Sequence, residues 1–135
     1  MDIKRARIVV VEDEKIMSTF VLATLRRIGI LDLFAFEHGA AAFKELGKLK
    51  PDLLLTDIHM QPMGGVELVR AMRASPDAAI SRIPVIFLSA DSTPATIKEV
   101  LPLGVAGYLV KPPNISALAA KIEQALKPSK PEISD

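Results

Sequence analysis

The chain has 135 residues, half of them hydrophobic, which is long enough for one compact domain with its own core and too short for two ordinary domains. Seventeen basic and sixteen acidic side chains nearly cancel, so the net charge of +1 gives no sign of a nucleic acid or an anionic membrane as partner. The sequence contains no cysteine, which excludes disulfide scaffolds, thiolate zinc sites and cysteine nucleophiles and fits a reducing cytoplasm.

Short apolar runs rich in β-branched residues alternate along the chain with longer segments of helical spacing. Most of the runs are continuously hydrophobic, which is typical of parallel strands that helices cover on both faces. We therefore predict five parallel strands, over residues 8–11, 32–36, 52–56, 85–88 and 107–110.

Five helices are predicted between and after these strands. The first three cover residues 14–28, 40–49 and 66–74, and each ends before a glycine or proline turn. The fourth opens with Thr93 as cap and Pro94 at its first position, and the fifth opens with Asn114 as cap. The domain is predicted over residues 1–126, and residues 127–135 are a flexible tail or the start of a linker.

The alternation of strands and helices predicts an α/β fold, a doubly wound five-stranded parallel sheet of the flavodoxin-like kind. If the strand order is 2-1-3-4-5, the third strand lies in the middle, between the first and the fourth. Ligands of such sheets bind beyond the carboxyl ends of the strands. The residues at those ends are therefore the candidates for a functional site.

Polar side chains stand at four of these strand ends. Glu12 and Asp13 follow the first strand, Asp57 and Ser89 come at the ends of the third and fourth, and Lys111 follows the fifth. Alone, the acidic pair is typical of a helix cap, and the serine and lysine are typical of a loop and a solvated surface. Their joint placement favours one small cavity that holds three carboxylates, a hydroxyl and an ammonium group.

These groups suit phosphoryl transfer to a carboxylate. Three crowded carboxylates repel one another unless a cation lies among them, and Mg²⁺ fits because it prefers carboxylates, water and phosphate oxygens. Glu12 and Asp13 can hold the ion while Asp57 attacks a phosphorus atom. The Ser89 hydroxyl and the Lys111 ammonium can each stabilise an oxygen of the phosphoryl group.

Several separate motifs resemble those of the receiver domains of two-component response regulators. The resemblance covers residues 7–126 and is carried by residues 9–13 with the acidic pair, by Asp57 to Met60 with Met63 and Gly65, by residues 88–90 and by residues 108–112. It implies that Asp57 is the phospho-acceptor and that Glu12, Asp13, Asp57 and the backbone carbonyl of His59 bind Mg²⁺. It also implies phosphoryl-binding roles for Ser89 and Lys111, a switch formed by Ser89 and Tyr108, and a cis peptide before Pro112.

The function that the resemblance implies is a phosphate-accepting signalling switch in the cytoplasm. A histidine kinase or histidine phosphotransfer protein would phosphorylate Asp57 with Mg²⁺. The face made by the fourth helix, fifth strand and fifth helix would then regulate a downstream target protein. The chain would be a regulatory domain, not an enzyme, with intrinsic Mg²⁺-dependent self-phosphorylation and self-dephosphorylation. We expect a stand-alone domain, the alternative being a receiver cut from a longer regulator with an output domain.

Five positions depart from the usual pattern of this family. Gln61 stands where a proline is common, with Pro62 one place later, and Gly64 stands where an acidic residue is frequent. Pro113 replaces a frequent aromatic residue, and Pro102 is unexpected near the end of the fourth helix. The first change puts the shape of the loop after Asp57 in question, and the last two lie near the predicted signalling face.

Two other classes remain as alternatives. A haloacid-dehalogenase-like phosphohydrolase also uses an aspartate nucleophile and Mg²⁺, but it expects a second aspartate where His59 stands. A pseudo-receiver would lack the acceptor, the acidic pair or the lysine, and all are present. We expect no direct nucleic-acid binding, because no helix-turn-helix segment follows, and no membrane span, because no apolar run approaches the roughly 18 residues needed.

Overall fold

A computed structural model describes residues 2–90 and 93–127 and places a five-stranded sheet at the centre of the molecule. The strands pair in the order β2-β1-β3-β4-β5, and all four pairings are parallel. The predicted fold class and strand order are therefore confirmed. The strands are β1 (Arg7–Val11), β2 (Asp32–Phe36), β3 (Leu53–Asp57), β4 (Val85–Ser89) and β5 (Gly107–Val110).

Within residues 2–90 and 93–127, six helices connect and flank the strands, one more than predicted. Among the residues that the structure describes, no helix is both long and apolar enough to cross a membrane. Short 3₁₀ turns cover Ile3–Arg5 and Leu101–Leu103. The helices are α1 (Lys15–Ile28), α2 (Gly39–Leu49), α3 (Gly65–Arg73), α4 (Ala78–Ser81), α5 (Pro94–Val100) and α6 (Ile115–Ala125).

The additional helix is α4, a single turn in a segment where the sequence predicts only a loop. It forms because the Asp77 carboxylate caps it, accepting a hydrogen bond from the Ala79 amide at 2.9 Å. A four-residue helix is too short to show apolar periodicity in the sequence. The predicted fourth and fifth helices are consequently α5 and α6.

The capping residues explain where the longer helices begin and end. Gly29 adopts the left-handed conformation, with φ of 108°, and its amide donates to carbonyls of the last turn of α1. Thr93 caps α5 by accepting from the Thr96 amide, and Asn114 caps α6 by accepting from the Ala117 amide. These three predictions are confirmed. The predicted tail, residues 127–135, lies outside the described residues except for Lys127.

Two hydrophobic clusters cover the two faces of the sheet, because successive strand residues point to opposite sides. One cluster joins Val10 and Leu55 to Leu25 of α1 and Leu118 of α6. The other joins alternate strand residues, Phe87 among them, to the buried faces of α2 and α3. Every residue of β3 and β4 is buried, which agrees with the continuous hydrophobicity of their sequences.

Gly65 opens α3 in close contact with the end of β3. A Cβ atom built there would collide with the Asp57 carbonyl oxygen and would lie 3.1 Å from the Ile58 Cα. Any side chain would therefore push α3 away from the strand. The last residue of β3 and the first turn of α3 are packed together only because this position is glycine.

We predict that Gly65→Ala lowers the free energy of unfolding by about 1–3 kcal/mol, the usual effect of overpacking against backbone that cannot move aside. Gly47→Ala is the matched control, because Gly47 lies within α2 and its Cβ would meet Ile80 Cδ1 at an ordinary 3.7 Å. That variant should gain about 0.5–1 kcal/mol. Urea unfolding followed by circular dichroism measures both, and equal effects of the two variants would contradict the close contact at Gly65.

Candidate functional site

Sheet hydrogen bonds continue past the strand ends and hold the candidate residues at one edge. The Glu12 amide donates to the Phe36 carbonyl of β2 at 3.0 Å. On the other side, the Lys111 amide donates to the Ser89 carbonyl at the end of β4 at 2.7 Å. Main-chain hydrogen bonds alone therefore hold Glu12 after β1 and Lys111 after β5 in position.

Glu12, Asp13 and Asp57 form a cluster of carboxylates at this edge. One oxygen from each lies within 4.8 Å of the others. Glu12 is 1% exposed and Asp57 is 5% exposed, whereas Asp13 is open to solvent. Two of the three negative charges are therefore largely removed from water, which is costly unless positive charge lies close to them.

Lys111 supplies positive charge to the cluster. Its Nζ lies 3.0 Å from Glu12 Oε1 and 3.3 Å from Asp57 Oδ2, and its side chain is only 11% exposed. The other oxygen of Glu12 accepts the Glu14 amide at 3.1 Å. The ammonium group thus bridges two buried carboxylates at the ends of neighbouring strands, Glu12 directly after β1 and Asp57 at the end of β3.

The pKa values of Glu12 and Lys111 reflect competition between burial and pairing. Burial raises the pKa of Glu12, the hydrogen bonds from Lys111 and the Glu14 amide oppose this, and the charge of Asp57 adds to the rise. Burial by itself would lower the pKa of Lys111. The hydrogen bond to Glu12 and the charge of Asp57 outweigh that effect, so the pKa of Lys111 is raised. The lysine therefore stays charged, as a counter-ion must.

The other predicted site residues lie in β4 and β5 and in the loops after β3 and β5. Ser89 ends β4 and is fully buried, and Tyr108 of β5 is half-buried and pairs with Phe87 in the sheet register. His59 is exposed, two residues after Asp57. The peptide bond before Pro112 is cis.

The loop after Asp57 contains the departures at Gln61, Pro62 and Gly64. Its Gln61–Pro62 peptide bond is cis. The Gly64 amide donates to Glu67 Oε1 at 2.9 Å, and a Cβ on Gly64 would lie only 2.6 Å from that oxygen. A side chain on residue 64 would therefore require the Glu67 carboxylate to move from this position.

Sequence reasoning assigns no specific role to two features of the site. Gly65 stands in the sequence only as part of a motif, yet its lack of a side chain allows α3 to lie against the Asp57 carbonyl. The sequence offers one indication of this role, because Gly65 stands just before a predicted helix, where a residue with a capping side chain is usual. The second feature is the direct bond between Lys111 and Glu12, which no sequence signal indicates.

The donor set fits a hard divalent cation. The carboxylates are close enough for one ion to contact an oxygen from each, and Mg²⁺ prefers oxygen ligands of this kind. The exposed position of Asp13 leaves the cluster open to solvent and hence to an incoming ligand. Together, a buried carboxylate, a nearby ammonium group and an open acidic edge can bind a cation and a phosphoryl group side by side.

Comparisons with known proteins show which sequences and structures this chain resembles. The chain is 32% identical over 121 residues to chemotaxis protein CheY1 of Helicobacter pylori, covering 89% of this chain and 96% of that protein. It is 33% identical over 118 residues to chemotaxis protein CheY of Pseudomonas aeruginosa, covering 87% and 94%. The solved structure of Vibrio cholerae chemotaxis protein CheY4 superposes with a TM-score of 0.82 at 26% identity, covering 90% of this chain and 99% of that chain.

The family model of the response regulator receiver domain matches residues 8–123. This range reaches from the first strand into the last helix and includes every candidate site residue. The chain therefore belongs to the response regulator receiver domain family.

Proposed function

We propose that this receiver domain is a phosphate-accepting switch in which the Asp57 carboxylate takes a phosphoryl group from a phosphohistidine of a partner protein. The observation that carries the proposal is the position of Asp57. It is a buried carboxylate at the end of the central strand, with the Lys111 ammonium 3.3 Å from Oδ2 and two further carboxylates beside it. A nucleophile, a cation site and a fixed ammonium group then meet at one point.

In the transfer step, an Asp57 oxygen attacks the phosphorus atom of the donor. An O–P bond forms, the N–P bond to the donor histidine breaks, and its electron pair leaves with the imidazole nitrogen. The donor would be a histidine kinase or a histidine phosphotransfer protein. When bound by Glu12, Asp13, Asp57 and the main-chain carbonyl of His59, Mg²⁺ would supply the positive charge that three carboxylates and a phosphoryl group require.

Lys111 would exchange partners during this step. In the unphosphorylated domain its ammonium group contacts Glu12 and Asp57. A phosphoryl group on Asp57 brings acceptor oxygens with more negative charge than a carboxylate within reach of the same ammonium. The Ser89 hydroxyl, buried at the end of the adjacent strand, would donate to another of these oxygens.

The phosphorylated state would reach a target protein through Tyr108. Drawing the Ser89 hydroxyl toward the phosphoryl group leaves space into which the half-buried Tyr108 ring of the neighbouring strand can turn. This rotation would change the surface formed by α5, β5 and α6, where a downstream protein would dock. Phosphorylation acts by stabilising one of two states already in exchange, so the domain need not be locked in either state beforehand.

The chain would act as a regulatory domain of the cytoplasm and not as an enzyme with a separate substrate. The same site would accept phosphate from small phosphodonors, and water could attack the acyl phosphate and restore the free carboxylate. Both reactions use Asp57 and require the cation. They set how long a signal lasts and give a convenient assay without the partner kinase.

The first test replaces the acceptor. Wild-type protein incubated with a small phosphodonor and Mg²⁺ should gain one phosphoryl group by intact mass, and Asp57→Asn should gain none, because an amide keeps the shape but is not a nucleophile. Asp77→Asn is the control, since asparagine also caps α4 and Asp77 lies outside the cluster. Undiminished labelling of Asp57→Asn would contradict the assignment.

The second test concerns the metal. We predict that Asp13→Asn weakens Mg²⁺ binding to the unphosphorylated domain by about tenfold or more, because it deletes a ligand and a negative charge. Glu14→Gln is the control, being the next residue, exposed and outside the carboxylate cluster. Calorimetry or nuclear magnetic resonance measures both affinities, and equal losses in the two variants would count against a defined site.

The third test separates phosphate acceptance from the switch. Ser89→Ala should still be labelled at Asp57, more slowly, while the change in the Tyr108 ring resonances on phosphorylation becomes smaller. Ser116→Ala, an exposed serine of α6, should leave both rate and resonance change as in wild type. Because the sequence contains one tyrosine, its ring signals need no further assignment. A full Tyr108 response without the Ser89 hydroxyl would show that the two residues are not coupled.

A further inference from the structure

Arg73, the last residue of α3, makes a set of contacts far from the carboxylate cluster, at the end of the sheet where β4 and β5 begin. Its side chain is partly buried, and the four acceptors that its guanidinium contacts are main-chain carbonyls. Nε donates to Leu103 at 3.0 Å, Nη1 donates to Ser81 and Ile83 at 2.9 Å each, and Nη2 donates to Gly104 at 3.4 Å. Four of the five guanidinium N–H groups can be satisfied in this way.

These carbonyls are available because they lie at or just after the ends of short helical turns. Ser81 is the last residue of α4, and Leu103 is the last residue of the 3₁₀ turn that follows α5. The final carbonyls of a helix have no partner within it, and positive charge is favourable at that end. Gly104 turns the chain in the left-handed conformation, with φ of 65°, directly after the 3₁₀ turn. One side chain thus holds two helical ends together.

The segments that Arg73 joins lead into the two strands of the proposed switch. Ile83 comes two residues before the start of β4, which ends on Ser89. Gly104 comes three residues before the start of β5, which carries Tyr108. The beginnings of these strands are also linked to each other directly, since the amide of residue 106 donates to the carbonyl of residue 85 at 2.8 Å. The first and last residues of β4 are separated by roughly 13 Å along the strand, so Arg73 acts at the far end of both strands.

We propose that Arg73 is a positioning residue of the switch, which holds residues 101–104 against the beginning of β4 so that this segment stays in place when Asp57 is phosphorylated. An element fixed at one end can respond only by turning about that end. The rearrangement of the Ser89 and Tyr108 side chains then moves the amino-terminal part of α5. Residues 101–104, which connect α5 to β5, keep their positions. This inference rests on the proposed function, because it assigns a fixed point to the same conformational change.

The first experiment needs no phosphorylation. Hydrogen exchange is compared in wild type, Arg73→Met, Arg73→Lys and Arg70→Met, the last being the control because Arg70 is exposed on the same helix. Arg73→Met should raise exchange at the Gly104 and Ala106 amides by about tenfold, since charge-assisted hydrogen bonds are lost there. Arg73→Lys should give a smaller rise, because one ammonium cannot contact four carbonyls as a planar guanidinium does. This variant decides the question if Arg73→Met does not fold.

The second experiment maps amide resonance changes on phosphorylation with a small phosphodonor and Mg²⁺. In wild type, the amides of Tyr108 and Thr96 should shift while those of Leu101, Leu103 and Gly104 do not. In Arg73→Met or Arg73→Lys the changes should extend into residues 101–104, and the Tyr108 response should fall. Arg70→Met should keep the wild-type pattern.

Two results would overturn the proposal. One is a shift of residues 101–104 in wild type as large as that of Tyr108. The other is a uniform loss of stability in the Arg73 variants with unchanged exchange and resonance patterns, which would mean a structural role alone. Failure to label Asp57 in wild type would instead contradict the proposed function. In that case the hydrogen-exchange comparison still decides whether Arg73 holds the beginnings of β4 and β5 together.

Discussion

The bridge from Lys111 to Glu12 and Asp57 is the interaction on which the site depends. It joins the residue after β5 to the residue after β1 and to the last residue of β3, across a gap of about 10 Å between β5 and β3. Two buried carboxylates would repel each other without this ammonium group, and breaking a buried ion pair from one side costs about 3–5 kcal/mol. The lysine allows Asp57 to be both buried and surrounded by acidic groups.

The same bridge explains how the site can change state without large rearrangement of the core. The ammonium group already lies close to the carboxylate that would carry the phosphoryl group. Phosphorylation would replace one set of anionic partners by another and would leave the sheet and its two hydrophobic clusters intact. The structural change would then be confined to the ends of β4 and β5 and the helix between them. Arg73 would mark where that change stops.

Much of this arrangement could be predicted from the sequence. Continuous apolar runs identified the strands, and the rule that ligands bind at the carboxyl ends brought Glu12, Asp57 and Lys111 to one edge. The direct bond between Lys111 and Glu12 could not be predicted, because it depends on side-chain conformations of residues 99 positions apart. The short helix α4 was not predicted because four residues are too few to show apolar periodicity. The contact between Gly65 and the Asp57 carbonyl depends on how α3 packs against β3, which cannot be predicted from the residues near Gly65 in the sequence.

The most direct measurement for the central claim is to locate the phosphoryl group on the chain. Borohydride reduces an acyl phosphate and leaves phosphate esters of hydroxyl groups unchanged, so treatment of the labelled domain followed by tandem mass spectrometry identifies the acceptor residue. We expect reduction at Asp57 alone, and we expect it to disappear when Mg²⁺ is chelated. A reduced residue at Glu12 or Asp13, or phosphate found on a hydroxyl group, would contradict the assignment of Asp57 as the acceptor.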